Sequence, residues 1–536
     1  MTATDRVYFF DSTLRDGAQT QGVDFSVADK QALAAALDRM GVDHIEGGWP
    51  GANPTDDTFF ADPPRLAGAR LIAFGKTRRA GRSPQNDRGL AALLNARAPG
   101  VCMVGKTWDF HVDVALGIDR QENIDLIGDS VAHAASLSGE VMFDAEHFFD
   151  GYKHNPDYAL ACAEAAYRGG ARWVVLCDTN GGTLPEEIAR IVEAVQARVP
   201  GSHLGIHCHD DSGLAVANSL AAVNAGARQV QGTVNGLGER CGNANLVTCM
   251  ANLALKGEVP TALTDAHLRE LTGVSRELDE RLNRAPAQTL PYVGESAFAH
   301  KAGLHVSAVQ RDPRTYEHVE PSRVGNRRHI VVSDQAGRAN VLARFREIGI
   351  ALDDSDPQVG DLVEMVKARE FEGYAYDGAA ASFELLARRA LGQVPGYFGL
   401  KRFRVMDDRR MNARGELVTE SEATVTTEVA GEEVMTVATG NGPVNALDLA
   451  LRKALLDVYP QLEDMRLTDY KVRILRPEAG TGAVTRVMVE SADGQGRHWT
   501  TVGVSPNIVD ASFNALYDGI AWKLYHEGAV PAAAGA

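Results

Sequence analysis

VMFDAEHFFDGYKHNPDYALACAEAAYRGGARWVVLCDT, residues 141–179, begins and ends on a short apolar run. Between the runs, PDYALACAEAAYRGG (156–170) carries apolar residues at helical spacing and stops at two glycines. That is the pattern of an amphipathic helix and its terminator. Two near-continuously apolar strands joined by such a helix read as a parallel pair covered on both faces. Each run also closes on polar residues, Glu146 in the first and Asp178 with Thr179 in the second.

The same unit recurs on both sides of this stretch. Upstream lie VYFFD (7–11), HIEGG (44–48), LIAFG (71–75) and VCMVG (101–105), and downstream lie LGIHCH (204–209) and QVQGTV (229–234). Helical spacing returns in SVADKQALAAALDRMG (26–41) and PEEIARIVEAVQARV (185–199), while the helices of 55–95 are poorly marked. Eight strand–helix units in about 250 residues match the size and count of a (β/α)8 TIM barrel. A doubly wound sheet is the alternative, and it rarely runs to eight regular units.

Beyond the barrel the pattern changes twice. Residues 260–395 read mainly as helices, and from about 396 the chain is rich in alternating strands. GEEVMTVATGNGPVNALDLALRKAL echoes GRHWTTVGVSPNIVDASFNALYDGI in strand, polar turn and helix. Two copies of one small unit point to a pseudo-symmetric α+β domain. The expected organisation is therefore a catalytic barrel over 1–275, helical linker subdomains over 276–395, and a C-terminal α+β domain with a pseudo-repeat over 396–530.

Composition narrows the function. The 536 residues carry a net charge of −17, which argues against nucleic acid or an anionic membrane surface as partner. No apolar run reaches the roughly 18 residues needed to cross a bilayer, the N-terminal MTATDRVYFF lacks the pattern of a signal peptide, and six cysteines without a CxxC pair make no disulfide framework. A cytoplasmic protein is expected.

In a barrel the chemistry sits at the C-terminal ends of the strands. Asp11 ends the first run, with Arg15 and Asp16 just beyond it, and Glu46 lies in the second. Glu146, Asp178, Thr179, His207 and His209 close later runs, and Asn235, Glu239 and Asn243 follow the eighth. In GIHCHDD, His207 and His209 fall on one face of a strand and Cys208 on the other. Two imidazoles so placed bind one divalent metal when a carboxylate such as Asp11 joins them from a neighbouring strand. Zn2+, Mg2+ and Mn2+ all suit such a mixed nitrogen and oxygen set; two plain core histidines are the alternative. GLGERCGNANL has glycines spaced as in a dinucleotide loop, but it follows a strand rather than opening a βαβ unit. Its glycines suit a loop lying close to a ligand. Lys106, ending the fourth run, suits a phosphate or carboxylate contact. AFAHKAGLHVSAV (297–309) places His300, Lys301 and His305 outside the barrel, a weak signal by itself.

STLRDGAQTQG, GIHCHDDSGLAVANS, NGLGERCGNANL and AFAHKAGLH, in that order, resemble the DRE-TIM metallolyase family. That family groups Claisen-type synthases with hydroxymethylglutaryl-CoA lyase and certain carboxyltransferases. IEGGWPGANPTD, DAEHFFDGYKHNPDYAL and LCDTNGGTLPEEI are similar to its long-form (R)-citramalate synthases. The resemblance implies a divalent metal held by Asp11, His207, His209 and Asn243, with acetyl-CoA as co-substrate and pyruvate as the 2-oxo acid. It implies that Arg15 binds the ketone oxygen, Asp16 orients Arg15, and Thr179 holds the substrate carboxylate. His305, Glu146 and Tyr316 match groups that move or assist the proton, and whether His305 or Glu146 abstracts it stays open. The tail is similar to the regulatory domain of isopropylmalate synthases, implying a homodimer or higher homo-oligomer with isoleucine as effector. A 2-isopropylmalate synthase acting on 2-oxoisovalerate is the near alternative, and a catalytically silent amino-acid sensor the remote one.

Overall fold

The computed structural model describes residues 6–300, 303–330, 338–350, 352, 356–376, 378–411, 413–475, 480 and 482–531. Eight parallel strands close into a barrel in sequence order. They are β1 (Tyr8–Asp11), β2 (His44–Gly48), β3 (Arg70–Lys76), β4 (Gly100–Lys106), β5 (Val141–Glu146), β6 (Trp173–Asp178), β7 (Leu204–Cys208) and β8 (Gln229–Gly232). Closure pairs Tyr8 with Gln229 and Asp11 with Gly232.

Each strand coincides with one of the apolar runs, because a strand covered on both faces leaves no polar alternation to blur its ends. One face of the strands packs Phe9, Ile45, Val101, Phe143, Val174 and Ile206 into the large core shared with the surrounding helices. The other face fills the barrel with Phe10, Ile72, Cys102, Met142, Trp173 and Val175. The helices that periodicity marks poorly are Pro54–Ala61 and Arg88–Asn95, and both are short. Their starts come from side-chain caps instead, with Asn53 accepting from Asp56 N and Asp87 from Leu90 N.

The chain divides into two compact units: residues 1–298 with 319–328, and residues 299–318 with 329–536. The second unit holds β9 (Ala299–His300) paired in parallel with β10 (His329–Ile330), and helices Gly303–Arg311, Arg338–Glu347, Pro357–Glu372 and Ala380–Ala390. Two antiparallel three-stranded sheets follow. β11 (Gly399–Met411), β12 (Leu417–Val429) and β13 (Glu432–Gly440) lead into helix Pro443–Leu455. β14 (Arg466–Ile474), β15 (Thr485–Ala492) and β16 (His498–Ser505) lead into helix Ile508–His526. The echo in the sequence is thus a repeated strand–strand–strand–helix unit. Even an irregularity recurs: the pairing shifts register near the start of the first strand of each copy, at Leu400/Arg402 and at Leu467/Asp469. Helix Ala380–Ala390 is tied to the second copy, where Ser382 accepts from Val502 N (3.0 Å) and donates to Asp518 (2.8 Å).

Candidate active site

The turn after β1 builds the rim. The carbonyl of Ser12 accepts from the N–H groups of Arg15, Asp16 and Gly17 at 2.9–3.2 Å, which curls the chain back over the barrel mouth. Arg15 then donates through Nε to Glu46 Oε2 (2.8 Å) and through Nη1 to Asp16 Oδ1 (3.2 Å). Its guanidinium lies 3.8 Å from the centre of the Phe74 ring. Asp16 Oδ2 faces His207 Nε2 at 3.3 Å and accepts from Asn243 Nδ2 at 2.9 Å. The rings of His207 and His209 stand 5.3 Å apart. Asp16, His207 and His209 each offer a ligand atom within 4.8 Å of the other two, and all three are buried.

Asn243 reaches this group because its loop doubles back. Gly242 adopts φ +99°, and a Cβ there would fall on the carbonyl oxygen of Gly236. His209 and Asn243 then form an antiparallel bridge. Gly242 thus permits a close approach to the loop's own backbone, whereas the expectation from sequence is that these glycines bring the loop close to a ligand.

Burial disfavours charge throughout the rim, and specific partners decide which groups keep it. For Asp16, burial is outweighed by Arg15 and His207, so its carboxylate lies well below the usual range. For His207, burial is outweighed by the hydrogen bond and charge of Asp16, and its pKa is raised. Burial and the neighbouring His207 push His209 down to about 3, leaving a neutral imidazole. Glu46 and Asp144 are both raised by burial, with Arg15 first among the opposing influences on Glu46 and His207 on Asp144.

The donor set fits a divalent cation. It combines a carboxylate oxygen and two imidazoles, with the amide of Asn243 hydrogen-bonded to the same carboxylate. Among the described residues, Asn243 Oδ1 and His209 Nδ1 are buried without a hydrogen-bond partner, a condition that calls for a further partner such as an ion or water. His207 Nδ1 meets Gln231 Oε1 at 2.9 Å, and Gln231 donates to Asp144 at 3.2 Å. Such a chain holds a ligand imidazole in one orientation.

Asp11, nominated as a ligand by its strand-end position, lies outside this group. Its oxygens accept from the backbone N–H (2.9 Å) and hydroxyl (2.8 Å) of Thr13, whose own oxygen accepts from Val234 N (2.9 Å). Burial pushes its carboxyl up to about 7. The carboxylate beside the histidines is that of Asp16, which also contacts Arg15.

The remaining candidates divide between the two units. A cavity of about 660 Å3 at the mouth is lined by Arg15, Asp16, Glu146, Thr179, His207 and His209, among others. Glu146 is paired with Lys106 at 2.5 Å. Thr179 Oγ1 accepts from His147 N at 2.8 Å, which leaves its hydroxyl hydrogen to donate. His305 and Tyr316 belong to the second unit, where their rings meet at 4.2 Å and both residues are exposed. His300 there binds Glu317 at 3.0 Å, and Lys301 lies outside the described residues. Sequence reasoning missed Gln231, Asp144 and Cys102 inside the barrel, although strand alternation puts them in register with inward residues.

Residues 6–276 match the HMGL-like family. The chain is 49% identical over 522 residues to the (R)-citramalate synthase of Aquifex aeolicus, covering 97% of this chain and 98% of that one. It is 50% identical over 522 residues to the (R)-citramalate synthase of Geobacter sulfurreducens, with the same coverage. The chain belongs to the (R)-citramalate synthase family. Relatives outside that family are more distant: a probable 2-isopropylmalate synthase of Methanopyrus kandleri is 34% identical over 523 residues, 96% of this chain and 98% of that one. The chain also matches the homocitrate synthase post-HMGL domain over 292–372 and the LeuA allosteric (dimerisation) domain over 377–524. No helix among its described residues is long and apolar enough to cross a membrane.

Proposed function

We propose that the protein condenses acetyl-CoA with pyruvate and hydrolyses the resulting thioester to (R)-citramalate and CoA. The observation that carries this reading is the convergence of Asp16, His207, His209 and Asn243 beside Arg15, in a chain 49–50% identical to (R)-citramalate synthases over nearly its whole length.

Asp16, His207, His209 and Asn243 would hold the divalent cation. When bound, it supplies Lewis-acid polarisation of the 2-oxo acid's ketone. Arg15 is locked by Glu46 and Asp16 and permanently charged. Its guanidinium is aimed where negative charge grows on the ketone oxygen as the C–C bond forms, and stabilises it there. Thr179 donates its free hydroxyl hydrogen to the substrate carboxylate. Trp49, Phe74 and Val104 give the cavity an apolar wall, which excludes water from the carbanion before it attacks.

A methyl proton of acetyl-CoA must leave to a positioned base. His305, paired with Tyr316, and Glu146, paired with Lys106, are the two groups assigned to that task. Replacing each separately and following solvent exchange of the methyl hydrogens decides between them. The LeuA-type domain supports a dimer, with isoleucine as effector and isoleucine biosynthesis as the setting.

The test is thiol release from acetyl-CoA with pyruvate, 2-oxobutyrate, 2-oxoisovalerate and 2-oxoglutarate offered separately, beside an EDTA-treated control. Metal-dependent release with pyruvate preferred is expected. Preference for 2-oxoisovalerate would make the protein a 2-isopropylmalate synthase, and no release from any of them would overturn the chemistry.

A further inference from the structure

We propose that Lys76 and Arg79, at the end of β3 and in the loop after it, bind the phosphates of the CoA nucleotide and so set the preference for a CoA thioester over a bare pantetheine thioester. The inference rests on the function proposed above and adds a ligand subsite to it.

Six cationic side chains line the cavity: Arg15, Lys76, Arg78, Arg79, Lys106 and Arg240. Four already have carboxylates. Arg15 has Glu46 and Asp16, Arg78 has Asp129 at 2.7 Å, Lys106 has Glu146 at 2.5 Å, and Arg240 has Asp211 at 2.7 Å. The side chains of Lys76 and Arg79 are exposed and make no hydrogen bond or ion pair among the described residues. Asp87 feels the charge of Arg79, yet its oxygens are taken by the backbone N–H groups of Arg79 and Leu90, both at 2.9 Å. In a chain of net charge −17, two unmatched cations three residues apart on a cavity wall make a local site for an anion.

Strand geometry says which anion. Phe74 and Lys76 are two residues apart on β3 and share a face. Phe74 lies under the Arg15 guanidinium at 3.8 Å and meets Trp49 edge-on at 5.2 Å. One wall therefore runs from the reacting centre, past two aromatic rings, to the free cations. A ligand matching it carries a reactive group at one end, a long weakly polar arm, and phosphates at the other. Acyl-CoA has that order of parts, with a thioester, a pantetheine arm, and a diphosphate with a 3′-phosphate. Lysine and arginine are the side chains suited to such phosphates.

The test compares kcat/KM for acetyl-CoA and acetyl-pantetheine in the wild type, in the double variant Lys76→Ala/Arg79→Ala, and in the charge-keeping double variant Lys76→Arg/Arg79→Lys. The ratio of the two values should fall about tenfold in the alanine variant, the loss of one charge-assisted contact or more. It should recover in the charge-keeping variant, with the KM for pyruvate unmoved. Added salt should depress wild-type turnover of acetyl-CoA more than that of the alanine variant. An unchanged ratio overturns the subsite and leaves the proposed function standing, and so does a parallel loss with both thioesters. If the wild type releases CoA with no 2-oxo acid, the proposed function fails, and calorimetric titration with CoA decides the subsite alone. Binding by the wild type but not the alanine variant supports it; equal binding by both, or none by either, overturns it.

Discussion

The two ends of the barrel treat buried charge in opposite ways. At the base, Glu140 precedes β5 and meets His44 at 3.4 Å and Arg70 at 2.7 Å. Burial opposes its charge, but those partners outweigh it and hold the carboxylate down at about 2. At the rim, Asp11 is pushed up to about 7, Glu46 and Asp144 are raised, and His209 is depressed to about 3. Among the described residues, Glu46 Oε1, Asn243 Oδ1 and His209 Nδ1 there make no hydrogen bond, nor does His44 Nδ1 at the base. Charge buried for stability comes with its counter-charges. At the rim Asp16 and Arg15 also hold their charge through each other. For Asp11, Glu46 and Asp144, however, burial wins over the partners, and perturbed groups of that kind gather where ligands bind.

The largest effect that tests this contrast is at the rim. Asp16→Asn should lose bound metal, read by elemental analysis, and about 10³-fold in kcat/KM, since Lewis-acid assistance amounts to several kcal/mol. Asp11→Asn should keep its full equivalent of metal. The reverse pattern would restore Asp11 as the ligand and undo the assignment made from the geometry. A smaller effect is expected from Thr179→Val, which removes a hydrogen bond to a charged group. The KM for the 2-oxo acid should rise about tenfold or somewhat more, with the KM for acetyl-CoA unchanged.

At the base the expectation inverts. Glu140→Gln should cost about 2 kcal/mol of unfolding free energy, discounted because the Arg70 side chain is 61% exposed, and leave kcat untouched. A loss of activity without loss of stability would break the division between the two ends.

The smallest effect is on the acid limb. Glu140 and, in the second unit, Glu384 both fall from 4.5 to about 2; for Glu384, burial is outweighed by His526, Arg388 and Trp522. Their folded values lie below the unfolded ones. Their stabilisation is therefore complete above about pH 4.5 and lost as the pH falls toward 2. Asp11 has the opposite sign: the unfolded chain ionises first, so its contribution weakens as the pH rises from 3.8 to about 7. Denaturant midpoints across pH 2–8 should flatten at the acid end in Glu140→Gln and at the neutral end in Asp11→Asn.

Much of this architecture is legible residue by residue. HIEGG and VMFDAE coincide with β2 and β5 to the residue, and His207 and His209 share a face as their spacing requires. The repeat in the tail shows because each copy carries its own strand, turn and helix signals locally. Helices Pro54–Ala61 and Arg88–Asn95 are hard to see because a helix of two turns has too few apolar positions to establish a period, and its start depends on one capping side chain.

Local sequence signals thus determined by themselves the barrel, the repeated tail domain and the shared face of His207 and His209, and the four ordered motifs pointed to the family. Which carboxylate joins those imidazoles was decided only by tertiary structure. Asp11 and Asp16 are five residues apart and both acidic, and strand-end position favours the first. The turn on Ser12 O and the return of the Gly242 loop put Asp16, Asn243 and His207 in one place, while Thr13, itself held by Val234 N, occupies Asp11. The interior chain from His207 through Gln231 to Asp144 likewise exists only when β5, β7 and β8 close round a common axis. Periodicity says which face a side chain takes; which distant side chain meets it there follows from closure of the barrel.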